Sequence, residues 1–105
     1  MDEFVKVASV DEIPPGTGKV VQVREKPIAL FNVEGHFYAI SNQCPHEGGP
    51  LGEGYLKGCV VSCPWHDLAF DVRNGQGTDA GGYCVLSYDV RVTGDAVFIG
   101  GRRRT

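Results

Sequence analysis

Two short motifs constrain this chain more strongly than any other feature of its sequence. The first is Cys44-Pro45-His46, and the second, after residues 47–62, is Cys63-Pro64-Trp65-His66. Each motif offers one thiolate and one imidazole, both common ligands of transition metals. The sequence starts with acidic residues and lacks the apolar segment of a signal peptide, which favours a compartment where thiols stay reduced. In that setting cysteines indicate metal binding before disulfides.

Two kinds of metal centre use two cysteines and two histidines. In a zinc site the cysteines usually form one closely spaced pair and the histidines another, whereas here each motif contains one of each. The single residue between Cys44 and His46 is also fewer than zinc ligands usually have between them. The other centre is a [2Fe–2S] cluster with two cysteines on one iron and two histidines on the other. The two motifs, with the glycine-rich residues 48–54 between them, resemble those of Rieske proteins. A zinc-stabilised interaction module remains the alternative.

The resemblance to Rieske proteins implies a ligand set. Cys44 and Cys63 would bind the inner iron, and His46 and His66 the outer iron, of one [2Fe–2S] cluster. High-potential members of the family carry two further cysteines that link the ligand loops by a disulfide, at the positions of Gly49 and Trp65 here. Because neither residue is a cysteine, we expect a potential toward the low end of the Rieske range, which runs from about −150 to +300 mV. This type resembles the ferredoxins that supply bacterial oxygenases.

The pattern of apolar residues predicts an all-β protein with many turns. Alternating or β-branched segments bounded by turn residues predict strands at residues 4–7, 19–24, 28–33, 36–40, 55–56, 59–62, 69–72, 85–92 and 96–99. Glu34-Gly35 and Lys57-Gly58 are hairpin signals, and Pro27 is expected to interrupt pairing. The length of 105 residues suits one domain, residues 1–105. The resemblance implies a Rieske fold: an antiparallel β-sandwich base with a small cluster-binding subdomain inserted at roughly residues 42–71.

The function implied by the resemblance is that of a soluble one-electron carrier, not an enzyme in its own right. Its partners would be a flavin-containing reductase and a terminal oxygenase such as an aromatic-ring dioxygenase. The small Rieske-like subunit of an assimilatory nitrite reductase is the alternative. We do not expect a terminal oxygenase, because that class needs a further domain with a mononuclear iron, and among these 105 residues His36 is the only histidine left over.

Charge and hydropathy limit the other partners. The formal net charge of −3 argues against nucleic-acid binding. No apolar run approaches the roughly 20 residues that a membrane span requires. We expect a cytoplasmic monomer, since a carrier must dock and leave.

A few residues stand outside the two motifs. Cys59 and Cys84 are expected to be small buried apolar residues, with a redox disulfide between them as the alternative. His36 is expected at the surface. Trp65 either belongs to an exposed apolar rim where a partner docks or packs against the base of the fold. Residues 100–105, which include Arg102 to Arg104, are expected to form a frayed basic end.

Overall fold

The computed structural model describes residues 4–44, 48–65, 68–78 and 83–102, and for Arg102 it describes the backbone alone. The described residues form strands and two single 3₁₀ turns, Val10–Glu12 and Leu51–Glu53. The strands are β1 (Val5–Ser9), β2 (Thr17–Val23), β3 (Lys26–Val33), β4 (His36–Ser41), β5 (Tyr55–Lys57), β6 (Val60–Ser62), β7 (Ala69–Asp71), β8 (Ser87–Thr93) and β9 (Ala96–Arg102). Neither 3₁₀ turn in this part of the chain is long or apolar enough to cross a membrane.

The strands form two antiparallel sheets of unequal size. The large sheet has the order β1-β9-β8-β4-β3-β2, and it curls until its edge strands β1 and β2 contact each other. The small sheet has the order β5-β6-β7, and its strands lie between β4 and β8 in the sequence. The predicted all-β base with a small inserted subdomain is therefore confirmed. The small sheet falls within the expected insert of residues 42–71, but the limits of that insert and of the single domain stay predictions.

Strand β3 is the centre of the molecule because both of its faces are buried. Ile28 and Leu30 point to a first core inside the curled sheet, while Ala29 and Phe31 point to a second core between the large and small sheets. The first core comprises Ala8, Ile13, Val21, Ile28, Leu30, Ala39, Val97 and Ile99. The second comprises Ala29, Phe31, Ile40, Cys44, Leu51, Val61, Cys63, Phe70 and Val72. The two motif cysteines are thus part of the core that joins the sheets.

Two hairpins of the large sheet have two-residue turns with positive φ. The turn between β3 and β4 is Glu34-Gly35, as predicted, with φ of 53° and 93°. The turn between β2 and β3 is Arg24-Glu25, with φ of 51° and 69°, and no glycine or asparagine in the sequence indicates it. Pro27 therefore lies within β3, opposite Gln22, and the prediction that it interrupts pairing is wrong. The missing N–H of Pro27 costs no hydrogen bond to β2. In such a hairpin the pair next to the closing pair Val23–Lys26, here Gln22–Pro27, exchanges no hydrogen bonds.

Two further boundaries differ from the predictions. Lys57 pairs with Val60, so the turn of the β5–β6 hairpin is Gly58-Cys59, one residue later than expected. Strand β9 continues to Arg102, whose backbone pairs with Tyr88 of β8, so residues 100–102 are not a frayed end. The neighbouring strand β8 holds this segment in place. Residues 103–105 lie outside the described residues.

Candidate metal centre

The first ligand loop begins with a buried asparagine. Asn42, which follows β4, is 8% exposed. Its backbone carbonyl accepts a hydrogen bond from the Leu51 N–H at 2.7 Å, and its side-chain Oδ1 accepts one from the Gly52 N–H, also at 2.7 Å. Asn42 therefore fixes the start of the loop to the 3₁₀ turn Leu51–Glu53, which packs on the second core through Leu51.

Each cysteine closes its own loop with a backbone hydrogen bond. The Cys44 N–H donates to the Gly49 carbonyl at 2.9 Å, and the Gly48 N–H donates back to the Cys44 carbonyl at 2.7 Å. In the second loop, which follows β6, the Cys63 N–H donates to the Leu68 carbonyl at 2.9 Å. In both loops the cysteine N–H donates to the carbonyl five residues later, so the two loops are closed at their base by equivalent hydrogen bonds although their sequences differ.

The two loops meet at the cysteines. Cys44 is 1% exposed and Cys63 is 3% exposed, and neither is in a disulfide. A methyl group placed on Gly49 of the first loop would lie only 2.6 Å from the Cys63 Sγ of the second. The Cys63 thiol therefore sits against the backbone of the other loop.

This donor set fits an iron–sulfur centre. A buried thiolate is costly unless a cation or hydrogen bonds compensate its charge. Two thiols without a disulfide, buried in one apolar core on loops that touch, are a suitable pair of ligands for a metal of high thiolate affinity. Within the described ranges no three histidine, cysteine or acidic side chains converge on one point. His46 and His66, the other two predicted ligands, lie outside those ranges.

Trp65 lies at the surface beside the cysteines. Its side chain is 60% exposed, while ring atoms Cγ and Cδ2 lie 3.2 Å from the point where a side chain on Gly49 would begin. Of the two predicted placements, the exposed one is confirmed, and the contact is with the other loop and not only with neighbours in its own. The resemblance to Rieske proteins indicates that positions 49 and 65 are neighbours, since a disulfide joins them in high-potential members, but it does not indicate that a tryptophan ring packs on the glycine.

The remaining cysteines and His36 are at least partly exposed. Cys84 is exposed and Cys59 is half-buried, and neither is in a disulfide. The prediction that both are buried is therefore wrong, and the reason is local: Cys59 lies in a hairpin turn, and Cys84 bridges Gln76 in an irregular segment. His36 is exposed at the start of β4, as expected.

An ion pair braces the end of the small sheet. The Asp71 carboxylate accepts hydrogen bonds from Arg73 Nη2 at 2.8 Å, from Nε at 3.0 Å and from the Arg73 backbone N–H at 2.9 Å. The hydrogen bond from the Arg73 side chain is the main reason why the pKa of Asp71 is lowered. Asp71 is the last residue of β7 and Arg73 lies two residues beyond it, so the pair fixes the chain where it leaves the small sheet.

Comparison with known proteins identifies the family. Residues 3–83 match the family described as Rieske [2Fe-2S] domain. That match covers most of the chain, so the protein belongs to this family. Its cofactor is one [2Fe–2S] cluster, and the zinc-stabilised interaction module considered from the sequence is set aside.

Similar proteins point to one group within the family. The chain is 46% identical over 74 residues to the biphenyl dioxygenase ferredoxin subunit of Pseudomonas sp. (strain KKS102), covering 70% of this chain and 68% of that protein. It is 36% identical over 99 residues to the ferredoxin component of the alkene monooxygenase system of Xanthobacter autotrophicus (strain ATCC BAA-1158 / Py2), covering 93% and 81%.

A solved structure agrees with the sequence matches. A chain in the complex of reduced oxygenase and oxidized ferredoxin in carbazole 1,9a-dioxygenase is 31% identical to this chain and superposes with a TM-score of 0.87. The match covers 97% of this chain and 96% of that one.

Proposed function

We propose that the protein is the ferredoxin component of a multicomponent oxygenase system, a one-electron carrier that is not itself the oxygenase. The observation that carries the proposal is the pair of buried thiols, Cys44 and Cys63, held in two touching loops beside an exposed tryptophan. Such a site places a redox centre close to a surface that another protein can reach. The similarity to ferredoxin components of biphenyl dioxygenase and alkene monooxygenase systems supports the same assignment.

The ligand set that we propose is the one that the sequence motifs indicate. Cys44 and Cys63 hold the inner iron, and His46 and His66 hold the outer iron. The bound cluster supplies a reversible one-electron couple, with a potential above that of an all-cysteine cluster because two neutral ligands replace two negative ones. The chain's own contribution is to fix the loops, through Asn42 and the two closing hydrogen bonds, and to exclude water from the thiolates.

The proposed partners are a flavin-containing reductase and a terminal oxygenase, for example one that acts on aromatic rings. The relative in the carbazole 1,9a-dioxygenase complex is bound to its oxygenase, which supports this proposal. The exposed Trp65 and the half-buried Leu68 form an apolar rim beside the cysteines, suited to a small, transient contact. We further propose a cytoplasmic location, which four cysteines outside disulfides support, and a monomeric state.

Electron paramagnetic resonance of the dithionite-reduced protein, with iron and sulfide analysis of the same sample, tests the proposal. We expect two irons and two sulfides per chain and a rhombic signal whose average g value lies below that of all-cysteine clusters. An average g value typical of all-cysteine ligation would refute the histidine ligands, and a colourless protein without a signal would refute the carrier function.

Reconstitution separates the carrier from the nitrite reductase alternative. A carrier should support turnover when it is mixed with a flavin-containing reductase and a ring-hydroxylating oxygenase, and it should purify alone. A nitrite reductase small subunit should instead form a stable complex with its large subunit and leave the oxygenase idle.

A further inference from the structure

The contact between Gly49 and Trp65 joins the two ligand loops. Each loop is closed on itself, the first by the hydrogen bond from Cys44 to Gly49 and the second by the bond from Cys63 to Leu68. Neither closing bond crosses from one loop to the other. The Trp65 ring does cross, because its Cγ and Cδ2 atoms lie against the position where a side chain on Gly49 would begin.

The same glycine also touches the second thiol. A methyl group on Gly49 would lie 2.6 Å from the Cys63 Sγ, closer than van der Waals contact allows, and 3.2 Å from the Trp65 ring. The ring and the thiol therefore meet around one point on the first loop. Only glycine leaves room there for both, so residue 49 has to be glycine in this packing.

The ring covers this point from the solvent side. Trp65 is 60% exposed, whereas Cys63 is 3% exposed two residues earlier in the same loop. A large side chain that keeps one part against Gly49 and presents the rest to water acts as a cover over the junction of the loops. The cover needs no covalent bond, and neither Gly49 nor Trp65 can form one.

From this geometry we propose that Trp65 is a positioning residue that, packed on Gly49, links the two iron-binding loops and limits the access of water and chelators to Cys63. The inference rests on the ligand set proposed above. In this proposal a noncovalent contact joins the two loops, as a disulfide does in high-potential Rieske proteins. The tryptophan at position 65 then requires a glycine at position 49.

Replacement of Trp65 tests the proposal in the cluster-loaded protein. We expect Trp65→Ala to lose its visible absorbance to an iron chelator roughly tenfold faster than the wild type, as a barrier lowered by about 1.4 kcal/mol would produce. Trp65→Phe keeps a ring on Gly49 and should stay within about twofold of the wild type, a barrier change of roughly 0.4 kcal/mol. Tyr55→Ala, which removes a 72% exposed ring from β5 away from Gly49, serves as the control and should change nothing.

The reduction potential gives a second readout that a purely structural role would not move. Water that reaches the cluster stabilises its more negatively charged reduced state, so the potential of Trp65→Ala should rise relative to the wild type and to Tyr55→Ala. Equal chelation rates and potentials for Trp65→Ala and the wild type would overturn the proposal. A Trp65→Phe variant that loses its cluster as fast as Trp65→Ala would also overturn it. If Trp65→Ala assembles no cluster, the proposal is overturned when Trp65→Phe assembles none either.

Fluorescence tests the pairing from the other side, since Trp65 is the only tryptophan of the chain. Gly49→Ala should push the ring off the first loop and raise its collisional quenching by acrylamide. Unchanged quenching would show that residue 49 does not hold the ring. Wild-type iron and sulfide contents and the resonance signal test the ligand set separately, so failure of this inference is distinguishable from failure of the proposed function.

Discussion

Cys44 and Cys63 combine near-complete burial with the absence of a disulfide. Thiols in this position either stay neutral and act as small apolar residues or ionise to bind a metal. The second role, metal binding, is favoured because both thiols lie in one core at the point where the two ligand loops meet. Cys84 also forms no disulfide, but it is exposed and lies outside this core, so it offers a natural comparison.

The cysteines can therefore be separated by function. Cys44→Ser or Cys63→Ser should abolish incorporation of the cluster, because a serine hydroxyl is a much poorer ligand for iron than a thiolate. Cys84→Ser should bind wild-type amounts of iron and sulfide. Metal analysis and visible absorbance give the result, and a red-brown Cys63→Ser protein with two irons would contradict the assignment.

The Asp71–Arg73 pair makes stability depend on pH in a defined direction. The pKa of Asp71 in the folded protein is lowered from its ordinary value of 3.8, so its contribution is present above that pH and is lost as the pH falls through the folded-state pKa. At neutral pH we expect Asp71→Asn to lower the thermal midpoint by about 2–4 °C.

That difference from the wild type should shrink in more acidic buffer, below the ordinary pKa of an aspartate. Differential scanning calorimetry at neutral and acidic pH measures both quantities. Asp95→Asn, in the exposed turn between β8 and β9, is the control and should follow the wild type throughout. A gap for Asp71→Asn that is independent of pH would show that the charge of Asp71 does not stabilise the fold.

At the level of single residues, the sequence predicted the chemical role of a side chain better than its exposure and contacts. The two motifs that begin at Cys44 and Cys63, each with one cysteine and one histidine, were enough to predict metal binding, because ligand type and ligand spacing are local properties. The exposure of Cys84 and the packing of the Trp65 ring on Gly49 could not be predicted, because both depend on how the side chains pack in the folded protein. The resemblance to Rieske proteins indicated only that positions 49 and 65 are neighbours. No pattern in the residues around Gly49 indicates that its missing side chain makes room for a ring.

Strand β3 divides the molecule into two cores that should respond differently to mutation. Leu30 faces the core inside the large sheet, while Leu51, in a 3₁₀ turn, faces the core with the cysteines, and both are fully buried. Leu30→Ala and Leu51→Ala should each destabilise the protein by roughly 2–5 kcal/mol.

Only Leu51→Ala should also accelerate release of the cluster, because its cavity opens beside Cys44 and Cys63. The two variants are matched in chemistry and burial, so each is the control for the other. Urea titrations give the stability, and loss of visible absorbance to a chelator gives the release rate. If the two variants were equally stable and released the cluster at equal rates, cluster release would depend on global stability and not on the packing of the core around the cysteines.

The β2–β3 hairpin contains strain that can be removed. Glu25 has a φ of 69°, a left-handed conformation that costs a non-glycine residue roughly 1–2 kcal/mol. Glu25→Gly should raise the free energy of unfolding by roughly 0.5 kcal/mol, since the flexibility of glycine offsets part of the gain. Lys26→Gly, inside the strand, should lower it instead. A urea midpoint that falls for Glu25→Gly would show that the turn is not strained.

The elements were predicted well where a turn residue marks their ends. Glu34-Gly35 indicated its hairpin because glycine is favoured at positive φ. Arg24-Glu25 forms the same kind of turn without glycine or asparagine, so nothing in its sequence indicates it. Pro27, two residues later, predicts a break in the pairing instead. The extension of β9 to Arg102 was also missed, because pairing with neighbouring strands, and not local preference, holds glycines 100 and 101 in a strand.

The whole molecule is compact enough to act as a diffusing carrier. Its Cα radius of gyration is 12.5 Å, close to the roughly 13 Å expected for one domain of this length. If the protein is a monomer as proposed, small-angle scattering should give a radius near that value and independent of concentration. A radius that grows with concentration would instead indicate self-association and would contradict the monomer.

The matching hydrogen bonds that close the two loops bear on the speed of electron exchange. A carrier pays an energetic cost at each transfer in proportion to how far its atoms must shift between the two charge states. The amides of Cys44 and Cys63 are already committed to the carbonyls of Gly49 and Leu68, so they do not have to reorient when the charge changes. Loops built in this way keep the nuclear reorganisation small, and a weak driving force is then sufficient for rapid transfer in either direction.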